Sequence, residues 1–440
     1  MKTNILKGED PMDMKFMHPA DQLVLMMNRI YNYGMTTTSG GNLSILDEDG
    51  NVWITPGSID KGSLTRKDMV CIKKDGTIEG IHKPSSEYPF HLKVYETRSD
   101  IKAVLHAHPP ALVAFSIVRQ IPNTKLIPNA YVGCGKIAMA EYGLPGSKDL
   151  GDKIAKEFEK GCDIAVLENH GVVVGNDSLF NAFKAFETLD FCARLQIDAS
   201  IIGTPKSLSE DKMQLKYTRD HYNMEEYTPE VITSREKEAR NEMCNLVHRA
   251  YNQKLINATQ GSFSQRLEGD KFIITPYNVD RKYLEVEDIV SISGGRREAG
   301  KVPSRSIRFH QEIYKQHPEI NAIIIAHPPN IMAYAVTDEM LDSKSIPESY
   351  ILMRDIPKLD FTEFYQKPEE TAKAFNESTP IVIVQNDCVA VTGDSLLNAF
   401  DRLEVAEYSA KALVFAKNLG QMVEINDSQI EEIKEAFHLK

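Results

Sequence analysis

The sequence predicts an α/β fold of the layered α+β kind, a central and mostly antiparallel sheet flanked by helices, built twice in one chain. Three observations carry this. First, short words recur in the same order in both halves: Thr55-Pro56 and Thr275-Pro276 at an offset of 220, Phe90-His91 and Phe309-His310 at 219, Asp177-Ser178 and Asp394-Ser395 at 217. So small a drift means homologous domains with short loop insertions, not a solenoid, whose repeats run about 20–50 residues. Second, two copies of roughly 200 residues fit the ordinary domain size. Third, strand-like and helix-like stretches alternate through short connections, which suits antiparallel pairing. The expected organisation is a domain at 18–204, a polar linker at 205–233 and a second domain at 234–430.

Each element has a local reason. Residues 1–17 are polar and Met-rich and read as a loose lead-in. A first helix is expected from Pro19 to Tyr33, where Leu23, Met26, Met27 and Ile30 recur at helical spacing. Ser39-Gly40-Gly41-Asn42 breaks that period. Strands follow at Leu43–Leu46 and Val52–Thr55, joined by the turn Asp47-Glu48-Asp49-Gly50-Asn51. A helix at Phe90–Glu96 and an apolar strand at Ala103–His106 come next. Cys162–Leu167 and Val172–Val174 read as strands on either side of Glu168-Asn169-His170-Gly171, and Asp177-Ser178 is placed to cap the long helix that follows.

The chain of 440 residues is 42% hydrophobic and 26% charged, which is ordinary for a soluble protein with a sizeable core in each domain. A net charge of -12 argues against nucleic-acid and anionic-membrane partners, because no global field would attract a polyanion. An anionic small molecule would need local donors. The first ten residues lack the apolar run of a signal peptide, and no stretch approaches the length of a membrane span. The six cysteines are scattered without a Cys-x-x-Cys pair, so reduced thiols and a cytoplasmic location are expected.

The two copies differ where chemistry would sit. Glu87 is matched by Ser306, His106 by Ile325 and His170 by Asp387, while their neighbours persist. His106 and His108 lie two apart at the end of a strand, so both imidazoles project to one side, as two metal ligands must. His170, in a tight turn before Gly171, can supply a third nitrogen. Three neutral imidazoles with open positions make a catalytic divalent site rather than a structural one.

Glu87 is the candidate base: a carboxylate near a divalent cation can take a proton while the metal stabilises an enediolate. The same stretch also reads as a helix start, with Ser85 or Ser86 as the cap. Ser85, Ser86, Asn42 and the Gly40-Gly41 backbone offer donors that suit an anion. Thr55-Pro56-Gly57-Ser58 is a turn that could add more, but Thr-Pro survives in the altered copy and is as much a fold feature. Lys61 and Lys83 read either as phosphate-neutralising residues or as solvated surface lysines. Tyr131 and Tyr142 fall in a region that could fold over the site. Arg281, Lys282, Arg305 and Arg308 could complete the intact site or form a separate anion site in the second copy, but read first as ordinary surface and interface charge.

Together, Ser39-Gly40-Gly41-Asn42-Leu43-Ser44, Ile54-Thr55-Pro56, Pro84-Ser85-Ser86-Glu87, His106-x-His108 and Asn169-His170-Gly171 resemble the class II aldolase/adducin family. The resemblance covers residues 18–200 with every main motif and about 234–430 with eroded ones. It implies that His106, His108 and His170 hold one Zn²⁺ per chain, that Glu87 is the acid/base residue, and that Asn42, Gly41, Ser58, Ser85 and Ser86 bind a substrate phosphate. The Thr55-Pro56-Gly57-Ser58 turn departs from the family's usual Thr-Gly pair. Epimerases of the family tend to carry Asp where this chain has Glu87, which favours aldol cleavage of a ketose phosphate over 4-epimerisation. Decarboxylation of a 3-oxo sugar-acid phosphate uses the same residues, and an adducin-like interaction module is the non-enzymatic alternative. The family's fourfold rings imply a homodimer whose four domains form a pseudo-fourfold ring.

Overall fold

The computed structural model describes residues 14–218 and 223–439. The expected lead-in therefore lies outside the described residues as far as residue 13, and Met14–Phe16 form a short 3-10 turn. Two compact units emerge, one made of Asp13–Thr124 with Asn129–Arg194 and the other centred on Leu195–Lys440. No helix among the described residues is long and apolar enough to cross a membrane.

In the first unit, helix α1 (Pro19–Asn32) buries Leu23, Met26, Met27 and Ile30, the stripe its spacing predicts, and ends at Tyr33. Eight strands follow: β1 (Asn42–Leu46), β2 (Val52–Ile54), β3 (Val70–Ile72), β4 (Ile78–Glu79), β5 (Ala103–Ala107), β6 (Ile137–Ala140), β7 (Ile164–Leu167) and β8 (Val172–Asn176). They form one sheet in the order β4-β3-β2-β1-β5-β8-β7-β6. Only β6 and β7 pair in parallel, so the sheet is mostly antiparallel as expected.

Register is what matters for the site. Because β1 and β5 run antiparallel, Asn42 sits directly opposite His106, and across β5 and β8 His106 faces Val173. Helix α2 (Tyr88–Thr97) packs Phe90 and Val94 into a core with Val52, Ile54, Val70 and Val104. Its N-cap is Glu87, and neither Ser85 nor Ser86 caps it. The helix-start reading was right about position and wrong about the capping residue. Helix α3 (Pro110–Ile117) leaves directly from the His106-x-His108 stretch.

The second unit repeats the plan. Strand β9 (Glu226–Tyr227) lies outside the repeat. Strands β10 (Ser262–Arg266), β11 (Phe272–Ile274), β12 (Val290–Ser293), β13 (Arg296–Glu298), β14 (Ala322–Ala326), β15 (Lys358–Leu359), β16 (Ile381–Val384) and β17 (Cys388–Gly393) correspond to β1 through β8. Their order, β15-β16-β17-β14-β10-β11-β12-β13-β9, is that of the first sheet with β9 added at one edge. Ser262 sits opposite Ile325, as Asn42 does opposite His106. The polar stretch 205–233 thus contributes more than a connection: it holds a helix at Glu210–Thr218, and β9 pairs in parallel with β13. A two-residue edge strand has no periodicity to betray it.

Candidate active site

The first unit brings every predicted metal-site residue together. His106, at the end of β5, is fully buried, and its Nδ1 donates to the Val172 carbonyl at 3.0 Å. That bond commits Nε2 to the other side, where it lies 2.9 Å from His108 Nε2. His108 falls one residue past the strand, yet its ring still points the same way. His170 arrives from the β7–β8 turn, where Asn169 adopts the left-handed conformation (φ 55°) that its short polar side chain tolerates. One ligand atom from each of the three histidines lies within 4.8 Å of the others. Burial, then the neighbouring His170, pushes the His106 imidazole down to about 3. Burial, with His106 and His170 beside it, does the same to His108, also to about 3. Both rings are therefore neutral at pH 7, the form a metal requires.

Glycines make this cradle possible. A Cβ at Gly171 would stand 2.5 Å from His108 Cδ2 and 2.6 Å from the Ala107 carbonyl, and one at Gly40 would stand 2.9 Å from His108 Nδ1. Gly41 has a φ of +73°, and a Cβ there would stand 2.8 Å from the His106 carbonyl. In the second copy Gly171 has become Cys388 and Gly40 has become Gln260, while His106 and His170 have become Ile325 and Asp387 and His108 persists as His327.

Glu87 is 8% exposed and lies between the histidines, its Oε2 3.3 Å from His106 Nε2 and its Oε1 3.8 Å from His170 Nε2. Asn42 Nδ2 donates to Oε2 at 2.8 Å. A carboxylate only accepts, so Asn42 must turn its amide nitrogen to Glu87 and its oxygen to His91. His91 Nε2 then donates to Asn42 Oδ1, its Nδ1 accepts from Ser44, and Ser44 accepts from Tyr95. Burial, helped by His106, holds His91 well below its usual range, consistent with a neutral ring in this chain. One chain of bonds thus runs from Tyr95 to the candidate base.

The duplicate keeps the chain and loses its end. Tyr314, Ser264 and His310 make the same contacts, but His310 meets Ser262 at 2.9 Å and Ser262 meets Ser306 at 2.7 Å. Hydroxyls occupy the places of the amide and the carboxylate. At the position of His170, Asp387 accepts a hydrogen bond from Tyr365.

Two buried atoms at the first site have no hydrogen-bond partner, Glu87 Oε1 and His170 Nδ1. Such atoms are costly unless a ligand meets them. Three imidazoles, a carboxylate and two orphaned atoms fit a divalent cation.

The site opens into a cavity of about 530 Å³ lined by Gly40, Gly41, Asn42, Ser58, Ser85, Ser86, Glu87, His108 and His170. Ser58 holds a left-handed conformation (φ 59°), and Ser85 Oγ accepts from the Glu87 amide. The sequence placed Asn42 among anion donors, but in this structure both ends of its amide are engaged by Glu87 and His91. Tyr142 is half-exposed and does not line the cavity.

Two residues were under-read from the sequence. Lys61 is 2% exposed and lines the cavity, and Arg281 is 1% exposed, so the reading of Arg281 as surface charge is wrong. Both side chains are tucked into the turn after Thr-Pro, which linear context does not reveal. Arg119, just past α3, was not singled out at all. It pairs with Glu168 at 3.2 Å and donates to Asn169, bracing the turn that carries His170. The duplicate has Asp338 and Gln385 at those places, a difference the repeat alignment could have flagged.

Comparison with known proteins follows the same outline. The family model described as Class II Aldolase and Adducin N-terminal domain matches residues 21–197 and again residues 241–414. The chain is 34% identical over 199 residues to the 5-deoxy-D-ribulose 1-phosphate aldolase of Bacillus thuringiensis serovar kurstaki, covering 44% of this chain and 91% of that one. It is 33% identical over 177 residues to the L-fuculose phosphate aldolase of Methanococcus maripaludis, covering 40% and 93%. It is 31% identical over 179 residues to the 3-oxo-tetronate 4-phosphate decarboxylase of Haemophilus influenzae, covering 40% and 85%.

Proposed function

The chain belongs to the class II aldolase family as a tandem duplication, and from that premise we propose that residues 18–204 cleave a ketose phosphate to dihydroxyacetone phosphate and an aldehyde. The observation that carries this is the group of three imidazoles around a carboxylate with an orphaned oxygen, present in one copy and dismantled in the other. In this reading His106, His108 and His170 hold the metal, and a set of three imidazole nitrogens suits Zn²⁺. When bound, the metal supplies stabilisation of the negative charge that develops on adjacent substrate oxygens.

The two oxygens of Glu87 have separate tasks. Oε2 is held by Asn42, which fixes the carboxylate. Oε1 is left to carry the proton. It takes the hydroxyl proton from carbon 4 as the bond between carbons 3 and 4 breaks and the aldehyde forms. The bonding pair passes into the enediolate of the other fragment. Oε1 then returns the proton to carbon 3, completing dihydroxyacetone phosphate. Ser58, Ser85, Ser86 and the Gly41 backbone are assigned to the substrate.

Likeness to the decarboxylase supports a second reaction on the same residues: loss of carbon dioxide from a 3-oxo sugar-acid phosphate leaves a comparable enediolate. Residues 234–430, which keep the fold but only one of the three histidines, His327, act as a structural copy. Exposed Leu397, Tyr408, Phe415 and Leu419 on and just after the helix Leu396–Lys417 support self-association, in line with a homodimer forming a ring of four domains. Six free, buried cysteines support a cytoplasmic setting.

The test pairs metal analysis with a sugar-phosphate cleavage screen. A single divalent ion per chain, lost in H106A, and dihydroxyacetone phosphate release abolished in E87Q are expected. Full activity of E87Q refutes the assignment of the base. Carbon dioxide release without aldehyde formation selects the decarboxylase.

A further inference from the structure

The cavity holds a cation that the proton transfers above do not use. Lys61 is almost wholly buried and lines the same cavity as Gly41, Ser58, Lys83 and Ser85. Its ammonium donates to the Pro56 carbonyl, and among the described residues no carboxylate pairs with it. Burial alone pushes it down to about 8. An ammonium carries three donors and a full charge. One neutral carbonyl leaves most of that unanswered, and a buried charge without a partner is costly.

The duplicate shows how the same position looks when the cation serves only its own loop. Arg281 stands 220 residues on and is equally buried. Its guanidinium donates to the carbonyls of Pro276, Val279 and Gly261, so the Pro56 contact has its counterpart and others are added. Asp280 and Asp288 also act on it as counter-charges. Four of the five guanidinium donors are met, by carbonyls of the loop and of Gly261. Lys61 keeps the one contact and drops the rest, and it does so in the copy that has the cavity and the histidines. With Asn42 committed to Glu87, the cavity also needs another donor for an anion, and a chain of net charge -12 supplies no general attraction.

We propose that Lys61 is the cation of the substrate's anion subsite, binding the phosphate group together with Ser58 and the Gly41 backbone on the same cavity wall. This rests on the reading of the cavity as a sugar-phosphate site and names a residue on which its affinity depends.

The test is calorimetric titration of inorganic phosphate into the full, metal-loaded chain, for wild type and K61M, beside the sugar-phosphate cleavage assay. A charge-assisted contact predicts phosphate binding weakened about tenfold or more in K61M. It also predicts a raised KM with a smaller change in kcat. Wild-type phosphate affinity in K61M overturns the proposal. Malonate is titrated in parallel, and malonate binding as tight as phosphate binding overturns the phosphate assignment. Should K61M not fold, the same titration is read on wild type from the side-chain carbon signal of Lys61. Phosphate must shift that signal with the calorimetric dissociation constant, and an unmoved signal at saturation overturns the proposal. Lys61-dependent phosphate binding without any sugar-phosphate cleavage leaves the subsite standing and sinks the reaction. Cleavage at wild-type KM in K61M does the reverse.

Discussion

Replacing Gly171 with alanine tests the geometry of the proposed metal site with one carbon atom. The added Cβ would lie 2.5 Å from His108 Cδ2, 2.6 Å from the Ala107 carbonyl and 3.4 Å from His106 Cε1. Carbon atoms rest at about 3.5–4.0 Å, so something must yield by about 1 Å. The Ala107 carbonyl belongs to β5, paired on both sides by β1 and β8, and cannot move cheaply. The His108 ring is what gives. Overpacking of this kind costs about 1–3 kcal/mol of stability, which a domain of this size survives. A displaced ligand loses about 10–100-fold in metal affinity, and a misplacement of about 1 Å costs roughly a hundredfold in rate. The assay is chelator competition for the bound ion together with kcat/KM for cleavage. Gly133→Ala, where nothing lies within 4 Å of the new Cβ, is the control and is expected to match wild type. A G171A protein with wild-type metal affinity and wild-type kcat/KM would refute the reasoning.

Three further outcomes are expected. Asn42→Ala leaves Glu87 Oε2 without its amide donor at 2.8 Å, and kcat is expected to fall about 10–100-fold with metal content unchanged; loss of the metal instead would contradict the positioning role. Arg119→Ala unclamps the His170 turn, but Arg119 is 43% exposed, so metal affinity should drop by less than about tenfold in chelator competition, and a larger loss would show the clamp to be stronger than a surface pair. Burial pushes His310 down to about 3, below the ordinary histidine value, so the unfolded chain takes up this proton first. The stability it supports is present above pH 6.5 and is lost as pH falls towards 3, at roughly 1.4 kcal/mol per pH unit. Denaturant unfolding of wild type and H310N across that window should show a shallower pH dependence in the variant, and equal slopes would remove His310 as the cause.

How much of this was legible beforehand differs from residue to residue. The strand ending in His106, the helix bearing His91 and the turn bearing His170 all follow from local periodicity and turn chemistry, and each stands where the sequence put it. The β9 edge strand did not follow, since two residues carry no pattern. Nor did the burial of Lys61 and Arg281, because a cation after a Thr-Pro turn looks the same in sequence whether it faces water or a cavity.

What the sequence by itself determined was the duplication and the family, and it singled out His106, His170 and Glu87 as candidates, because a repeat within one chain shows which positions changed while their neighbours stayed. Only the tertiary structure decided what each side chain is bonded to. Asn42 and Glu87 are 45 positions apart, and it is the antiparallel register of β1 on β5, with α2 laid beside it, that turns the Asn42 amide onto Glu87, the proposed base. Hydrogen-bond direction then propagates from that contact, since a carboxylate can only accept and each partner behind it must donate in turn. Such commitments depend on distances of a few tenths of an ångström between segments remote in the chain, and no spacing along the sequence encodes them.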